Sequence, residues 1–543
     1  MPDTHEVTNQ APDLVGHDVA DDPALLAGLC REGAEWAESE VHELGRLAGS
    51  EQAQRWGRLA NENEPTLHTH DRVGNRLDEV EYHPHYHDLM DVAVSHNMHA
   101  APWRDDRSGA HVARAAKFYT WTQAEAGHLC PISMTYAAIP ALRHSPALAR
   151  TYEPLLATPQ YDYGLRPPEN KRALIAGMSM TEKQGGSDVR ANTTTATPVG
   201  DDGHILVGHK WFTSAPMSDV FLTLAQAPGG LSCFLVPRVL PDGSYNRIRI
   251  QRLKDKLGNR SNASAEIEYD GAFALLVGEE GHGVRTIIEM VNMTRLDCAV
   301  GSAAGMRAAA VKATHHAAHR EAFGAPLLDQ PAMANVLADL TLESEAATTA
   351  AMRLAGATDR AAGGDEQEEA FRRLAVAVTK YWVCKRAPDH AAEALECFGG
   401  NGYIEDSGIP RMYREAPLSS IWEGSGNVAA LDVLRAMTKQ PESVEAFLSE
   451  VDRAAGADTR LDEAAARLRK DLADTEQAQY RARRVVESMA MVLQGSLLVR
   501  HSPHAVADAF CASRLGGDWG VAFGTLPTGI DTAAIVHRAT VTG

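Results

Sequence analysis

The chain has 543 residues, 44% of them apolar, and carries a formal charge of −20 from 52 Lys and Arg against 72 Asp and Glu. That length exceeds what one hydrophobic core can serve, so several domains are expected, and the acidic balance excludes a global attraction to phosphate polymers. Seven scattered cysteines without a Cys-x-x-Cys pair argue against a disulfide framework or a thiolate zinc site and are expected to be small core residues, and no run approaches the roughly 20 apolar residues of a membrane span.

The start, Met1-Pro2-Asp3-Thr4-His5-Glu6, has neither a basic nor an apolar leader, so a cytoplasmic location is expected. Residues 1–175 are helical in pattern, as over 112–121, with polar breaks such as Asn61-Glu62-Asn63-Glu64-Pro65, and predict an all-helical layer. Within it His83-Pro84-His85-Tyr86-His87 sets three histidines at alternate positions. An extended segment of this kind could ligate a metal, but no acidic or cysteine partner stands at fixed spacing, and a helix entry accounts for them better, so no metal is assigned.

From 176 to 282 the texture changes to short β-rich runs at 205–207, 220–224, 233–236 and 248–250, parted by turn signals at Gly200-Asp201-Asp202-Gly203, Ala227-Pro228-Gly229-Gly230 and Pro241-Asp242-Gly243. An antiparallel sandwich or barrel of about a hundred residues is expected there. Helical pattern returns over 283–440, with Pro331 in a first turn and a break at Ala361-Ala362-Gly363-Gly364-Asp365. Residues 441–543 form a further helical segment, in which 461–492 reads as one long helix with an apolar stripe of Leu461, Leu468, Leu472, Ala482, Val486 and Met489. The predicted fold class is therefore α+β, mainly α, in four domains: 1–175, 176–282, 283–440 and 441–543.

Two distant segments carry the chemistry. Met180-Thr181-Glu182-Lys183-Gln184-Gly185-Gly186-Ser187-Asp188 offers glycines and small polar residues through which backbone N–H groups can approach a pyrophosphate, and Ser420-Ile421-Trp422-Glu423-Gly424-Ser425-Gly426-Asn427 sets a carboxylate beside a large ring and a permissive backbone. Taken alone, Glu-Gly-Ser is a turn or a helix start. Together with His209-Lys210-Trp211-Phe212-Thr213-Ser214, His319-Arg320-Glu321-Ala322-Phe323-Gly324-Ala325-Pro326 and Phe398-Gly399-Gly400-Asn401-Gly402-Tyr403, they resemble the acyl-CoA dehydrogenase family of flavoproteins, and more closely its AidB branch, associated with the response to alkylation damage. The resemblance covers about residues 40 to 437 and implies the family fold: a small β-domain between helical domains, the last of which builds a homotetramer.

The resemblance further implies FAD as cofactor. Met178, Met180, Thr181, Gly186 and Ser187 would line it, and Trp211 and Thr213 would cover its ring, although Trp211 by itself also fits a β-domain core. Arg320, Phe323, Gln330, Glu396 and Gly400 would reach the flavin of a neighbouring subunit, with Arg320 on the pyrophosphate, although an arginine on a surface helix has no need of one. Glu396 departs from the glutamine common there and would repel a pyrophosphate unless paired or protonated. Ser425 and Asn427 would also contact flavin. No Gly-x-Gly-x-x-Gly follows a strand, so a nicotinamide site is not supported.

The implied reaction removes the α-proton of an acyl thioester while a hydride leaves the β-carbon, with electrons passing to an electron-transfer flavoprotein. Glu423 matches the commonest base position, and relatives with the base on another helix have it where this chain has Thr294. Trp422 would flank substrate. Arg295 would meet substrate or sit on a helix face in an ion pair; both readings stand. Lys183-Gln184 replaces a common Pro-Gly and could narrow or repolarise the substrate channel.

The alternative is association with double-stranded DNA, with the dehydrogenase chemistry vestigial. On the predicted helix, Lys470, Arg481 and Arg484 lie within about a hundred degrees of Arg467, with Arg435 at the domain junction, as a phosphate-contacting stripe. A solvated charged face explains the same pattern, since Asp474 sits inside it and residues 441–543 carry eleven cations against fourteen anions.

Overall fold

The structure, a computed structural model, describes residues 4–200 and 203–541; the expected turn at Asp201-Asp202 and the first three residues of the chain lie outside them. The chain divides into two units: Met1–Glu51, Ser108–Gln123 and Cys298–Gly543 form the first, and Gln52–Arg107 and Ala124–Asp297 the second.

The second unit is built on a seven-stranded sheet. Strands Gly203–Ser214, Ser264–Val277, Gly230–Pro237 and Val220–Ala227 follow one another antiparallel, and the ring closes through the short strands Ala176–Ser179 and Thr195–Val199. Each short strand pairs antiparallel with Gly203–Ser214 and parallel with Val220–Ala227, so the barrel is antiparallel except at its closure. The seventh strand, Ile248–Leu253, extends Ser264–Val277. Closure removes exposed edges, and strand residues such as Leu206, Phe221, Leu222, Phe234 and Ile267 are buried.

The expectation of an all-helical layer over 1–175 is corrected by a hairpin, Thr66–His70 with Arg76–Glu81. A two-stranded hairpin is marginal alone. Here Asp78, at φ 52°, accepts from Ile250 N at 3.1 Å, and its carbonyl accepts from Arg238 Nη2 at 2.5 Å. The histidine run does enter a helix, Pro84–Ser95, with His83 Nδ1 accepting from His85 N. Among the described residues no cluster suits a metal ion and no helix is long and apolar enough to cross a membrane.

In the first unit, the helix Pro331–Ala362 starts on its proline and Asp365 caps Glu366–Glu396 by accepting from Glu368 N at 3.0 Å. These two long helices pack on each other, and Gly426–Lys439 and Pro441–Asp452 pack on the second. Six cysteines are buried, but Cys30 is exposed.

The single helix expected over 461–492 is corrected to two, Thr459–Ala473 and Ala478–His501. Asp474 leaves helical geometry and Gln477 takes φ 52°, which reverses the local path. Arg481 bridges the break, with Nη2 donating to Asp471 Oδ1 at 2.9 Å and Nη1 to the Asp474 carboxylate. Leu461 and Leu468 on one helix, and Ala482, Val486 and Met489 on the other, are nonetheless buried. Periodicity reports buried faces and is blind to a turn that preserves them.

Candidate functional site

In the second unit, the segment after strand Ala176–Ser179 is held firmly where it begins. Thr181 O accepts from Trp211 N at 2.8 Å and Met180 O accepts from Asn192 Nδ2 at 3.0 Å. Glu182, fully buried, accepts from Thr193 N at 2.7 Å, Thr194 N at 3.1 Å and Lys210 Nζ at 2.9 Å. Burial pushes its carboxyl upward, but these donors outweigh burial and hold it well below the usual carboxylate range. Such a satisfied buried pair fixes a loop in one conformation.

Several of the residues expected on a flavin lie in or beside this segment. Met178, Met180 and Thr181 are half-buried, Ser187 is exposed, and a Cβ added at Gly186 would overlap Thr181 Oγ1, so only glycine allows that approach. Trp211 presents its ring to Lys254, whose Nζ lies 3.4 Å from the centroid and 2.6 Å from Glu266. Thr213 is buried with its hydroxyl on Ser179 Oγ at 2.5 Å. Gln184 turns back, donating to Glu182 Oε2 at 2.8 Å and to Ala191 O at 3.1 Å, while Lys183 is exposed. Arg295 is only 4% exposed, an interior position rather than a solvated helix face.

In the first unit, Trp422, Glu423, Ser425 and Asn427 share one turn and the start of helix Gly426–Lys439. Glu423 adopts φ 58°, a left-handed conformation that a side chain rarely takes without constraint. The constraint comes from Lys380, 1% exposed, whose Nζ donates to Gly424 O at 2.5 Å. Trp422 Nε1 is buried without a hydrogen-bond partner among the described residues, and Ser425 caps its helix without using its side chain. The turn thus joins an indole donor to a helix start that no side chain caps.

Elsewhere in the same unit, Arg320 and Gln330 flank, and Phe323 belongs to, one small hairpin, Glu321–Ala322 against Ala325–Pro326. Phe323 stands at its tip with φ 54° and full exposure, and Gln330 Nε2 donates to Ala322 O at 3.2 Å. Glu396 and Gly400 are exposed at and just beyond the end of helix Glu366–Glu396.

The expected phosphate stripe is divided by the helix break. Arg467 donates to Leu515 O at 3.0 Å and lies 3.8 Å from Glu463, Arg435 lies 3.6 Å from Asp432, and Arg481 is held by two aspartates, while Lys470 and Arg484 are exposed.

Sequence reasoning missed Lys380, Lys210 and the anchoring role of Glu182. A signal existed for Lys380: it is the one charged residue in the apolar run 374–384. Charges in such runs need partners.

Three family models match the chain: the AidB N-terminal domain over residues 9–163, the acyl-CoA dehydrogenase middle domain over 177–272 and its C-terminal domain over 281–438. The chain is 45% identical over 521 residues to the Escherichia coli AidB protein, covering 95% of this chain and 96% of that one. It is 32% identical to acyl-CoA dehydrogenase family member 11 of Caenorhabditis elegans, covering 86% and 73%. Among solved structures, C. elegans ACDH-11 in complex with C11-CoA superposes with a TM-score of 0.88 at 28% identity, covering 95% and 94% of the two chains. A Bacillus anthracis acyl-CoA dehydrogenase complexed with FAD shares the fold, with a TM-score of 0.65 at 18% identity, covering 84% and 87%.

Proposed function

The chain belongs to the acyl-CoA dehydrogenase family, in the branch with an AidB N-terminal domain, and from that premise we propose that Glu423 is the base of an FAD-dependent α,β-dehydrogenation of an acyl thioester. FAD is the family's cofactor and, when bound, supplies an acceptor for the hydride equivalent that leaves the β-carbon.

This chain's donor set fits such a group. The buried indole donor of Trp422 and the helix start at Ser425, which no side chain caps, each suit an anionic or carbonyl oxygen. Met178, Met180, Thr181, Gly186, Ser187, Trp211, Thr213, Ser425 and Asn427 would contact the cofactor, and Arg320, Phe323, Gln330, Glu396 and Gly400 would reach that of a neighbouring subunit, which makes the homotetramer part of the proposal. Trp422 and Arg295 would orient the thioester. Glu423 takes the α-proton.

The observation that carries this reading is the left-handed backbone of Glu423. Strain of this kind is retained where a side chain must point one way, as a base aimed at a carbon acid must. Dye reduction over a panel of acyl-CoAs, repeated with Glu423→Gln, tests it; activity unchanged by the substitution refutes the assignment.

A second reading, association with double-stranded DNA, draws on the exposed Lys470 and Arg484. A tetramer would multiply a weak, salt-sensitive patch through avidity. Arg435, Arg467 and Arg481 contribute less to it, because each already faces an acidic neighbour.

A further inference from the structure

An N-terminal arm is built onto the hairpin that carries Arg320. Asn9 Oδ1 accepts from Glu321 N at 2.7 Å and Asn9 Nδ2 donates to Glu321 O at 2.9 Å. The side-chain amide thus meets both backbone groups of one residue, as a neighbouring strand would. Asn9 sits at φ 54°, which asparagine tolerates better than most residues, and this turns its own carbonyl onto Arg320 Nη1. Three residues on, His315 Nε2 donates to Pro12 O at 2.9 Å and seats the arm on helix Gly283–His319.

We propose that this arm is a positioning element of the cofactor site: by clamping Glu321 and engaging one donor of Arg320, Asn9 holds the guanidinium and the Phe323 tip in the arrangement that receives the flavin diphosphate. The proposal rests on the FAD reading above. A two-residue hairpin is too short to be rigid by itself, and an unclamped arginine spreads over many rotamers. Fixing both beforehand removes an ordering cost from binding. One of the five guanidinium donors is committed to Asn9, and the fork geometry turns the others in a set direction.

The test is the affinity of the full-length apo-protein for FAD, read by flavin fluorescence, in a cycle of Asn9→Ala, Arg320→Ala and the double variant. Asn9→Ala is expected to weaken FAD binding about five- to tenfold when Arg320 is present, and by no more than about twofold when it is absent. Deletion of residues 1–14 should behave like Asn9→Ala, with the thermal midpoint of the apo-protein measured alongside. Equal losses in both backgrounds, or none in either, overturn the proposal while leaving the cofactor reading intact. Failure of the unaltered protein to bind FAD overturns both.

Discussion

Lys380 Nζ donates to the Gly424 carbonyl at 2.5 Å, tying the buried middle of helix Glu366–Glu396 to the turn that holds Glu423 in a left-handed conformation. A cation that is 1% exposed is costly to keep unless it is paired, and here it constrains the backbone next to the proposed base.

Glu423→Gln should therefore retain flavin and lose about 10²- to 10⁴-fold in acyl-CoA-dependent dye reduction, the usual range for removing a general base. Lys380→Met should lower kcat by about tenfold with KM little changed, because a misplaced base costs rate before it costs binding. Glu423→Gly should abolish turnover yet raise stability by about 0.5–1 kcal/mol through relief of backbone strain. A lower thermal midpoint for that variant would show that the Glu423 side chain serves packing instead.

Lys210→Met should destabilise the protein by about 3–5 kcal/mol, since it leaves the fully buried Glu182 without its cation. Flavin affinity should fall with it, because Glu182 holds the Met180–Ser187 segment to Thr193 and Thr194. Chemical denaturation and flavin titration on the same samples check both effects. An unchanged flavin affinity would detach the anchor from the cofactor site.

Acid stability should decline in a defined window. Burial opposes ionisation of Glu343, yet Arg386 and Arg514 overcome it and hold the carboxyl down at about 2. Glu450, likewise penalised by burial, is held at about 2 by Arg353 and Arg500. Both folded values lie below the ordinary 4.5, so their stabilisation is fully present above about pH 4.5 and is lost as pH falls from there toward 2. Glu450→Gln should lower the thermal midpoint at pH 7 and flatten its decline below pH 4.5. An equally steep decline in the variant would assign the acid response elsewhere.

Arg481→Ala should cost about 0.5–1 kcal/mol, because it releases Asp471 and Asp474 at the break between two helices. If the protein retains DNA, Lys470→Glu with Arg484→Glu should weaken retention and reduce its salt dependence more than Arg481→Ala does. Filter retention across a salt series separates the two. A flat salt response in the unaltered protein would dismiss the patch.

The order helix, barrel, helix was legible because alternation, turn residues and helical periodicity are local properties, and each marks which face of a segment is buried. Pro331 marked a helix start, and the break at 361–365 marked the boundary before the next helix, for the same local reason. The hairpin Thr66–His70 with Arg76–Glu81 was not legible, since its Asp78 is held by Arg238 and Ile250, which lie more than 150 residues further along the chain. Nor was the break at Gln477, because the buried Leu468 before it and Ala482 after it still fall on one stripe at helical spacing.

The same division runs through the candidate site. Residue types and spacing by themselves showed which segments carry glycines, an aromatic ring and a carboxylate, because those choices are written in each short run, while the proposed flavin and base roles of these segments rest on the family resemblance. Tertiary structure alone decided that Lys380 grips the Glu423 turn, that Lys210 neutralises Glu182, that Asn9 clamps the Arg320 hairpin and that Arg481 is spent on two aspartates. Such pairings join residues up to 312 positions apart. A charge or an amide has no directional preference along the chain, so its partner is chosen only when folding brings the two groups within hydrogen-bonding distance.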